Sequence, residues 1–363
     1  MSGTFLLRVG VFLFAILALP GVRAPADDRP SPIYADKSKL LIFRDAAGVE
    51  HPVRDRDDWR KRREHILAAM QLVMGPLPSA KSKVPLDVSV TEKIETDKYT
   101  RLLLTYAVDD KDRVPAYLFL PRGEKKQRPA VLCLHPTERK LGKKVAAGLG
   151  PKADRGYALH LAERGYVTLA PDYPNMGGYG YDAYKHGYAS TTMKAIWNHM
   201  IAVDLLQSLP EVDRERIGVI GHSLGGHNSM FVAAFDERIK CIVSNCGFCS
   251  FKTYMKGKIA GWAHDGYMPK LRTVYDLKPE NVPFDFTEIT AALAPRAFLA
   301  SAPLRDHNFD ADGVKECIAA ARPVYRLLGA EEKLAANYPD CDHNFPDDVR
   351  RVAYEWLDRW RMK

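Results

Sequence analysis

The sequence predicts an α/β fold in which helices cover both faces of a mainly parallel central sheet. From residue 129 onward, short apolar runs typical of buried parallel strands alternate with segments of helical periodicity. Strands that alternate with helices are joined by crossovers, and such crossovers build a parallel sheet between two helical layers. The chain has 363 residues, 46% of them apolar, so it can bury a large core, and a wholly disordered protein is excluded.

The individual elements follow from the apolar spacing and from the turn residues. A helix is expected over residues 59–74, because Ile66, Met70 and Val73 recur at helical steps before Gly75. Pro323 should kink or split the helix expected over residues 314–328. The expected strands are 86–90, 99–108, 115–120, 130–134, 166–170, 217–220, 239–243, 297–300 and 334–338. The other expected helices are 158–164, 190–209, 228–235 and 349–360.

The first 26 residues have the pattern of a secretory signal. Arg8 precedes an apolar stretch at 9–19 that is too short to span a bilayer, and small residues at 24–26 offer a cleavage site. We expect a secreted or periplasmic protein without stable membrane insertion; an uncleaved anchor is the alternative. The expected organisation is a signal peptide (1–26), an N-terminal arm and helix (27–85) and a catalytic domain (86–363).

Charge and cysteine usage exclude further classes of protein. The formal net charge is +8, but acidic neighbours offset the densest basic run, at residues 60–63, so no nucleic-acid partner is expected. Cys246 and Cys249 form one CxxC motif without a second pair. Buried thiols or one local disulfide are therefore expected there rather than a zinc site.

The strongest chemical signal is the motif GHSLG at residues 221–225, which follows an expected strand and precedes an expected helix. This is G-x-S-x-G in its strand–turn–helix context, where a sharp turn leaves no room beside the serine and projects its hydroxyl above the sheet. Ser223 is the candidate nucleophile, with a purely structural turn as the alternative. His222 and His227 lie on the turn itself, and we expect them to pack or to form hydrogen bonds.

The base and the acid that would activate this serine are expected later in the chain. A serine hydroxyl needs a base to take its proton, and the partners follow in the order acid, then histidine. His343 lies between the last strand and the last helix and is the expected base. Two carboxylates follow strand 297–300: Asp306, which is nearer the strand and favoured, and Asp310. A metal site that combines these two with His307 is an alternative use of the same loop.

A serine hydrolase also needs backbone donors for the oxyanion of its intermediate. One should be the N–H of Leu224, directly after the nucleophile, and the other should come from the loop after an early strand. That loop begins His135-Pro136-Thr137. Because proline has no N–H, Thr137 is the expected second donor, with an ordinary turn as the alternative.

With these motifs in this order, the chain resembles the α/β-hydrolase superfamily, and within it the secreted bacterial branch related to acetyl xylan esterases and dienelactone hydrolases. The resemblance covers residues 86–363. It implies a carboxylic ester hydrolase with the triad Ser223, Asp306 and His343 and with no cofactor or metal. Dienelactone hydrolases differ in carrying a cysteine nucleophile, and glucuronoyl esterases differ in having Arg where this chain has Leu224. The matching segments are 221–226, 135–137, Ala170-Pro171-Asp172-Tyr173, Ala294-Pro295-Arg296 and Asp342-His343.

Two aromatic segments, 173–188 and 248–275, are candidates for the border of the substrate site. Aromatic faces suit sugar rings or aromatic acyl groups, although packed surface loops would have the same composition. The candidate substrate-binding residues are Tyr179, Tyr181, Trp262 and Tyr267.

The sequence therefore predicts a secreted serine esterase that acts through an acyl-enzyme on a small-molecule or carbohydrate ester. A serine peptidase of the prolyl-oligopeptidase type is one alternative, which the lack of a long β-propeller domain disfavours. A non-catalytic binding protein of the same fold is another, and the presence of all three triad residues disfavours it.

Overall fold

Nine strands form one central sheet in the computed structural model, which describes residues 32–124 and 127–360. A separate antiparallel hairpin of two strands precedes it. The predicted signal peptide lies outside the described residues. The strands are β1 (Ile42–Arg44), β2 (Glu50–Pro52), β3 (Ser89–Glu95), β4 (Tyr99–Asp109), β5 (Asp112–Pro121), β6 (Arg128–Leu134), β7 (Val167–Pro171), β8 (Val212–His222), β9 (Ile239–Asn245), β10 (Ala297–Ser301) and β11 (Leu334–Asn337).

The sheet is parallel except at one edge. Its order is β11-β10-β9-β8-β6-β7-β5-β4-β3, and only the pairs among β3, β4, β5 and β7 are antiparallel. The α-helices are α1 (Arg56–Met74), α2 (Lys143–Ala146), α3 (Tyr157–Glu163), α4 (Thr191–Ser208), α5 (Leu224–Phe235), α6 (Lys270–Thr273), α7 (Phe286–Ala292), α8 (Ala311–Leu327) and α9 (Asp347–Trp360).

Two apolar layers lie on opposite faces of this sheet. Successive side chains of a strand point to opposite faces, and Leu132 of β6 accordingly belongs to the apolar layer that includes residues of α1, α4, α5, α7 and α8, whereas its neighbour Val131 belongs to the layer that includes residues of α3 and α9. Ile242 and Val243 of β9 divide in the same way. Helices on both faces of a mostly parallel sheet confirm the predicted α/β-hydrolase architecture.

Among the differences from the expected elements, two have a clear structural reason. The first strand after α1 begins at Ser89 rather than at residue 86, because its extent follows the hydrogen-bonded register with β4 along an exposed edge and not an apolar pattern. Pro323 lies inside α8 without dividing it. Proline has no N–H, so one backbone hydrogen bond of α8 is missing at this position. Ile318 and Tyr325, which are buried on either side of Pro323, keep the helix packed against the core.

The parallel register brings the carboxyl ends of four strands to one edge. Leu134 at the end of β6 is opposite Gly221 of β8, and His222 is opposite Asn245 at the end of β9. Asn245 is in turn opposite Ser301 at the end of β10. The loops that follow these strands therefore start side by side, and they contain the predicted functional residues.

The N-terminal helix is fastened to the rest of the protein by a buried ion pair. Arg62 of α1 contacts Glu288 of α7, with both side chains almost fully buried, and its guanidinium lies 3.6 Å from the ring centre of Tyr34. The described residues form one compact unit. Within them, every helix is too short or too polar to cross a bilayer.

Glu288→Ala should lower the free energy of unfolding by about 3 to 5 kcal/mol, because it leaves the buried Arg62 charge without a partner. Glu50→Ala is the control, since Glu50 pairs with Arg44 on the surface and should cost less than about 1 kcal/mol. Denaturant unfolding of both variants measures the difference, and equal losses would contradict a buried anchor.

Candidate active site

Ser223 is the point at which a buried strand–helix unit reaches the surface. It connects β8 to α5 with φ 56° and ψ −117°, a conformation that is rare for a residue with a side chain. Within residues 217–234, all of which the structure describes, every other residue is buried. The backbone N–H of Ser223 donates to the carbonyl of Asn245, 2.9 Å away, and fixes the turn against β9.

The glycines of the motif are required by close backbone contacts. A Cβ on Gly225 would overlap the carbonyl oxygen of Leu134 in β6, and a Cβ on Gly221 would overlap the carbonyl of Gly225. A Cβ on Gly226 would lie 2.7 Å from the Cα of Gly247. The first turn of α5 can therefore press against the sheet only with glycine at these positions.

The predicted base and acid are in direct contact. His343 Nδ1 lies 2.9 Å from Oδ2 and 3.0 Å from Oδ1 of Asp306. The Asp306 side chain is fully buried and also accepts the N–H groups of Asn308 and Phe309, at 2.8 and 3.1 Å. Burial opposes ionisation of Asp306, but the hydrogen bond and charge of His343 and the two N–H groups outweigh it and lower its pKa.

Asp310, the second candidate acid, has a structural task instead. Its carboxylate accepts the N–H of Asp312 at 2.8 Å and caps the first turn of α8. Arg305 joins the acid loop, residues 303–310, to the histidine loop, residues 340–345, because its guanidinium contacts Asp340 and Asp342. Of the two carboxylates that the sequence left open, the geometry therefore pairs Asp306 with His343.

His222 and His227 have the packing contacts that their position on the turn predicts. The His222 ring centre lies 5.0 Å from that of His343 and stacks on Phe345. The ring of His227 packs 4.7 Å from Trp262. The turn at residues 221–225, the nucleophile elbow, thus touches the loop of His343 on one side and the aromatic cluster of Trp262 on the other.

The loop that contains Thr137 lies beside the elbow and is held by His135. The Nδ1 of His135 lies 2.6 Å from the Pro136 carbonyl, and its Nε2 is 3.0 Å from the backbone nitrogen of Tyr173. A carbonyl only accepts and an N–H only donates, so this buried imidazole is neutral with its proton on Nδ1. On the elbow side, Leu224 is the first residue of α5, and its N–H has no acceptor within the helix.

A buried carboxylate that the sequence reasoning did not single out for a role anchors two loops of the site. Asp172 accepts from the backbone N–H and the ammonium of Lys143, each at 2.7 Å, and from the N–H of Gly178 at 3.1 Å. Gly142 and Gly177 both have positive φ and pass so close that a Cβ on either would overlap the carboxylate. The signal for it was the Pro171-Asp172 pair at the end of an apolar strand.

The four aromatic candidates divide into two groups. The Tyr267 hydroxyl lies 2.9 Å from Thr137 Oγ1, so this ring borders the loop of the predicted second oxyanion donor, and the almost fully buried Trp262 packs against it. Tyr179 and Tyr181 are buried elsewhere. The contacts of these two are with each other and with buried polar groups and His186, not with the elbow: the Tyr179 hydroxyl binds Asp112 and Asn198, and Lys194 lies 4.3 Å from the Tyr181 ring centre.

Among the described residues, one group of three side chains could geometrically hold a metal ion. It consists of Cys246, Asp306 and His343, whose ligand atoms lie within 4.8 Å of one another. The group overlaps the acid–base pair, because His343 Nδ1 already faces Asp306. His307 and Asp310, which the sequence offered for a metal site, are not part of it. Cys246 and Cys249 are buried free thiols.

The comparison with protein families agrees with this geometry. The model of the prolyl oligopeptidase family matches residues 154–360, which is more than half of the chain and includes Ser223, Asp306 and His343. The chain belongs to the prolyl oligopeptidase family.

Relatives of this family member include proteins named as esterases. YtaP of Bacillus subtilis, whose name describes it as a hydrolase, is 26% identical over 299 residues, covering 79% of this chain and 96% of that protein. Acetyl esterase Axe7A of Xylanibacter ruminicola is 24% identical over 204 residues, covering 50% of this chain and 44% of that protein. The glucuronoyl esterase of Solibacter usitatus superimposes with a TM-score of 0.74 at 21% identity, over 92% of this chain and 99% of that one.

These findings confirm the predicted α/β-hydrolase resemblance and support the prediction that this family member is a hydrolase acting on carboxylic ester bonds. The structural likeness to the glucuronoyl esterase holds for the fold, and Leu224 remains the residue after the serine in this chain.

Asp306→Asn should lower kcat about 10⁴-fold, because an amide cannot hold His343 in the required tautomer. Asp310→Asn is the matched control and should leave kcat within about twofold, since asparagine also caps helices. The lowered pKa of Asp306 keeps its carboxylate ionised between pH 5 and 8, so Asp306 should contribute no step to the pH dependence of kcat/KM in that range. Equal losses of kcat in both variants would contradict this pairing.

Proposed function

We propose that the protein is a serine carboxylic ester hydrolase that works through an acyl-enzyme. Ser223 attacks the ester carbonyl while His343 takes its proton, and Asp306 holds the imidazole and stabilises its charged form. The N–H groups of Leu224 and Thr137 bind the oxyanion. His343 then gives the proton to the leaving alcohol and activates the water that clears the acyl group. The observation that carries this proposal is the 2.9 Å contact of His343 with Asp306, in a loop that packs against His222, the residue before the strained and partly exposed Ser223.

The proposed substrates are carbohydrate esters. Two relatives are named as an acetyl esterase and a glucuronoyl esterase, and both names describe ester hydrolysis. Tyr267 offers an aromatic face at the oxyanion loop.

Every step of the proposed reaction uses side chains and backbone groups of this chain. The proposed site of action is outside the cytoplasm, and this part of the proposal rests on the signal-like residues 1–26.

A serine peptidase of the prolyl-oligopeptidase type is the second candidate, and the family match favours it. The same serine, acid and base serve amide and ester hydrolysis alike. In its described residues, the chain has one nine-stranded sheet and one hairpin, with no β-propeller over the site. The two candidates differ in the bond that is cleaved.

Purified protein should hydrolyse p-nitrophenyl acetate and release acetate from acetylated xylo-oligosaccharides, and Ser223→Ala should lower kcat by roughly 10³-fold or more. Ser208→Ala is the control, because Ser208 lies at the end of α4 and donates only to the Leu205 carbonyl. A prolyl p-nitroanilide peptide is assayed beside the esters. Faster cleavage of the peptide would favour the peptidase, and activity that survives in Ser223→Ala would contradict both candidates.

A further inference from the structure

Asn245 has a buried side chain that contacts both the nucleophile turn and the loop of His343. It is the last residue of β9, is fully buried, and lies between the ends of β8 and β10. Its carbonyl accepts the N–H of Ser223 at 2.9 Å, so its backbone already holds the nucleophile turn. None of the steps proposed for catalysis uses its side chain.

The side-chain amide of Asn245 contacts both the histidine loop and the elbow. Its Nδ2 lies 3.0 Å from the carbonyl oxygen of Asn344, the residue after His343, and 2.8 Å from Nδ1 of His222. The thiol of Cys246 contacts the same carbonyl at 3.4 Å. A carbonyl oxygen can only accept, so the amide group that faces it must be the NH₂.

This orientation fixes the protonation of His222. The NH₂ group donates its second hydrogen to Nδ1, which must then be the unprotonated nitrogen, and the ring proton lies on Nε2. Protonation of Nδ1 would set one donor against another. Burial, followed by the charges of His343, Arg155 and Lys152, lowers the pKa of His222 well below its usual range, in agreement with a neutral ring.

The neutrality of His222 matters because its ring centre is 5.0 Å from that of His343. The base must accept a proton from the serine, and a second cation at this distance would oppose that step. The loop position matters as well, because a base displaced by about 1 Å can cost on the order of 10²-fold in rate.

We propose that Asn245 is a positioning residue of the catalytic site, whose side-chain amide holds the His343 loop through Asn344 and keeps His222 in its neutral, Nε2-protonated form. The rate consequence of this inference rests on the proposed function, whereas the state of His222 does not.

Asn245→Asp tests the inference with almost no change in shape, because it replaces the two N–H donors with an oxygen. The carboxylate would accept a hydrogen bond from a protonated His222 Nδ1 and would repel the Asn344 carbonyl. We expect kcat to fall about 10- to 100-fold with a smaller change in KM. Asn337→Asp is the matched control, since Asn337 ends the edge strand β11 and its amide makes a long contact of 3.5 Å with Ser301 Oγ. This control should retain wild-type kcat.

Nitrogen NMR of the histidine rings provides the readout that a merely structural role would not move. In the wild type, His222 should show a pyridine-like Nδ1 and a pyrrole-like Nε2 from pH 5 to 8, and in Asn245→Asp its Nδ1 should become protonated. A protonated Nδ1 in the wild type, or an unchanged His222 pattern with full activity in Asn245→Asp, would overturn the inference.

The wild-type spectrum decides the state of His222 even if Asn245→Asp does not fold. It also separates the two levels of the argument. A wild type that cleaves no ester but shows the expected His222 pattern would contradict the proposed function and leave the role of Asn245 supported.

Discussion

The site depends on the contact between the first turn of α5 and the end of β6. Gly225 lies so close to the Leu134 carbonyl that no side chain fits between them. This approach forces the chain to reverse within one residue after β8, and Ser223 takes up the reversal with its positive φ. The same contact sets Leu224 next to the loop that begins at His135. The strain at the serine and the placement of Leu224 beside that loop, the two predicted sources of oxyanion donors, thus have one steric origin.

Buried polar side chains, rather than regular structure, hold the loops around this turn. Asp172 fastens the loops at 142–143 and 177–178, and Asn245 connects the elbow to the histidine loop. A buried carboxylate or amide is expensive to leave unpaired, so each of these side chains strongly favours one arrangement of its loops. Loops with little secondary structure of their own can in this way carry groups that must stay within a few tenths of an ångström.

The features that could be predicted from the sequence are those encoded locally. The elbow is recognisable because its glycines, its strand and its helix are contiguous, and the order of Asp306 and His343 after it follows from the fold. The contacts of the buried polar side chains were not predictable in the same way. Asn245 contacts Asn344, 99 positions away, and its proposed role depends on the register of β8 and β9. Tyr179 lies in an aromatic segment that was a candidate for sugar binding, but its hydroxyl forms a hydrogen bond with Asp112. The sequence pattern around Asp112 did not indicate that this carboxylate is buried.

The most direct test of the central claim is the reaction of the protein with a fluorophosphonate, followed by peptide mapping of the adduct. The account predicts a single adduct on the Oγ of Ser223, formed far more slowly in His343→Ala because only an activated serine attacks such a reagent. An adduct on another residue, or an equal labelling rate without His343, would contradict a nucleophile activated by the His343–Asp306 pair.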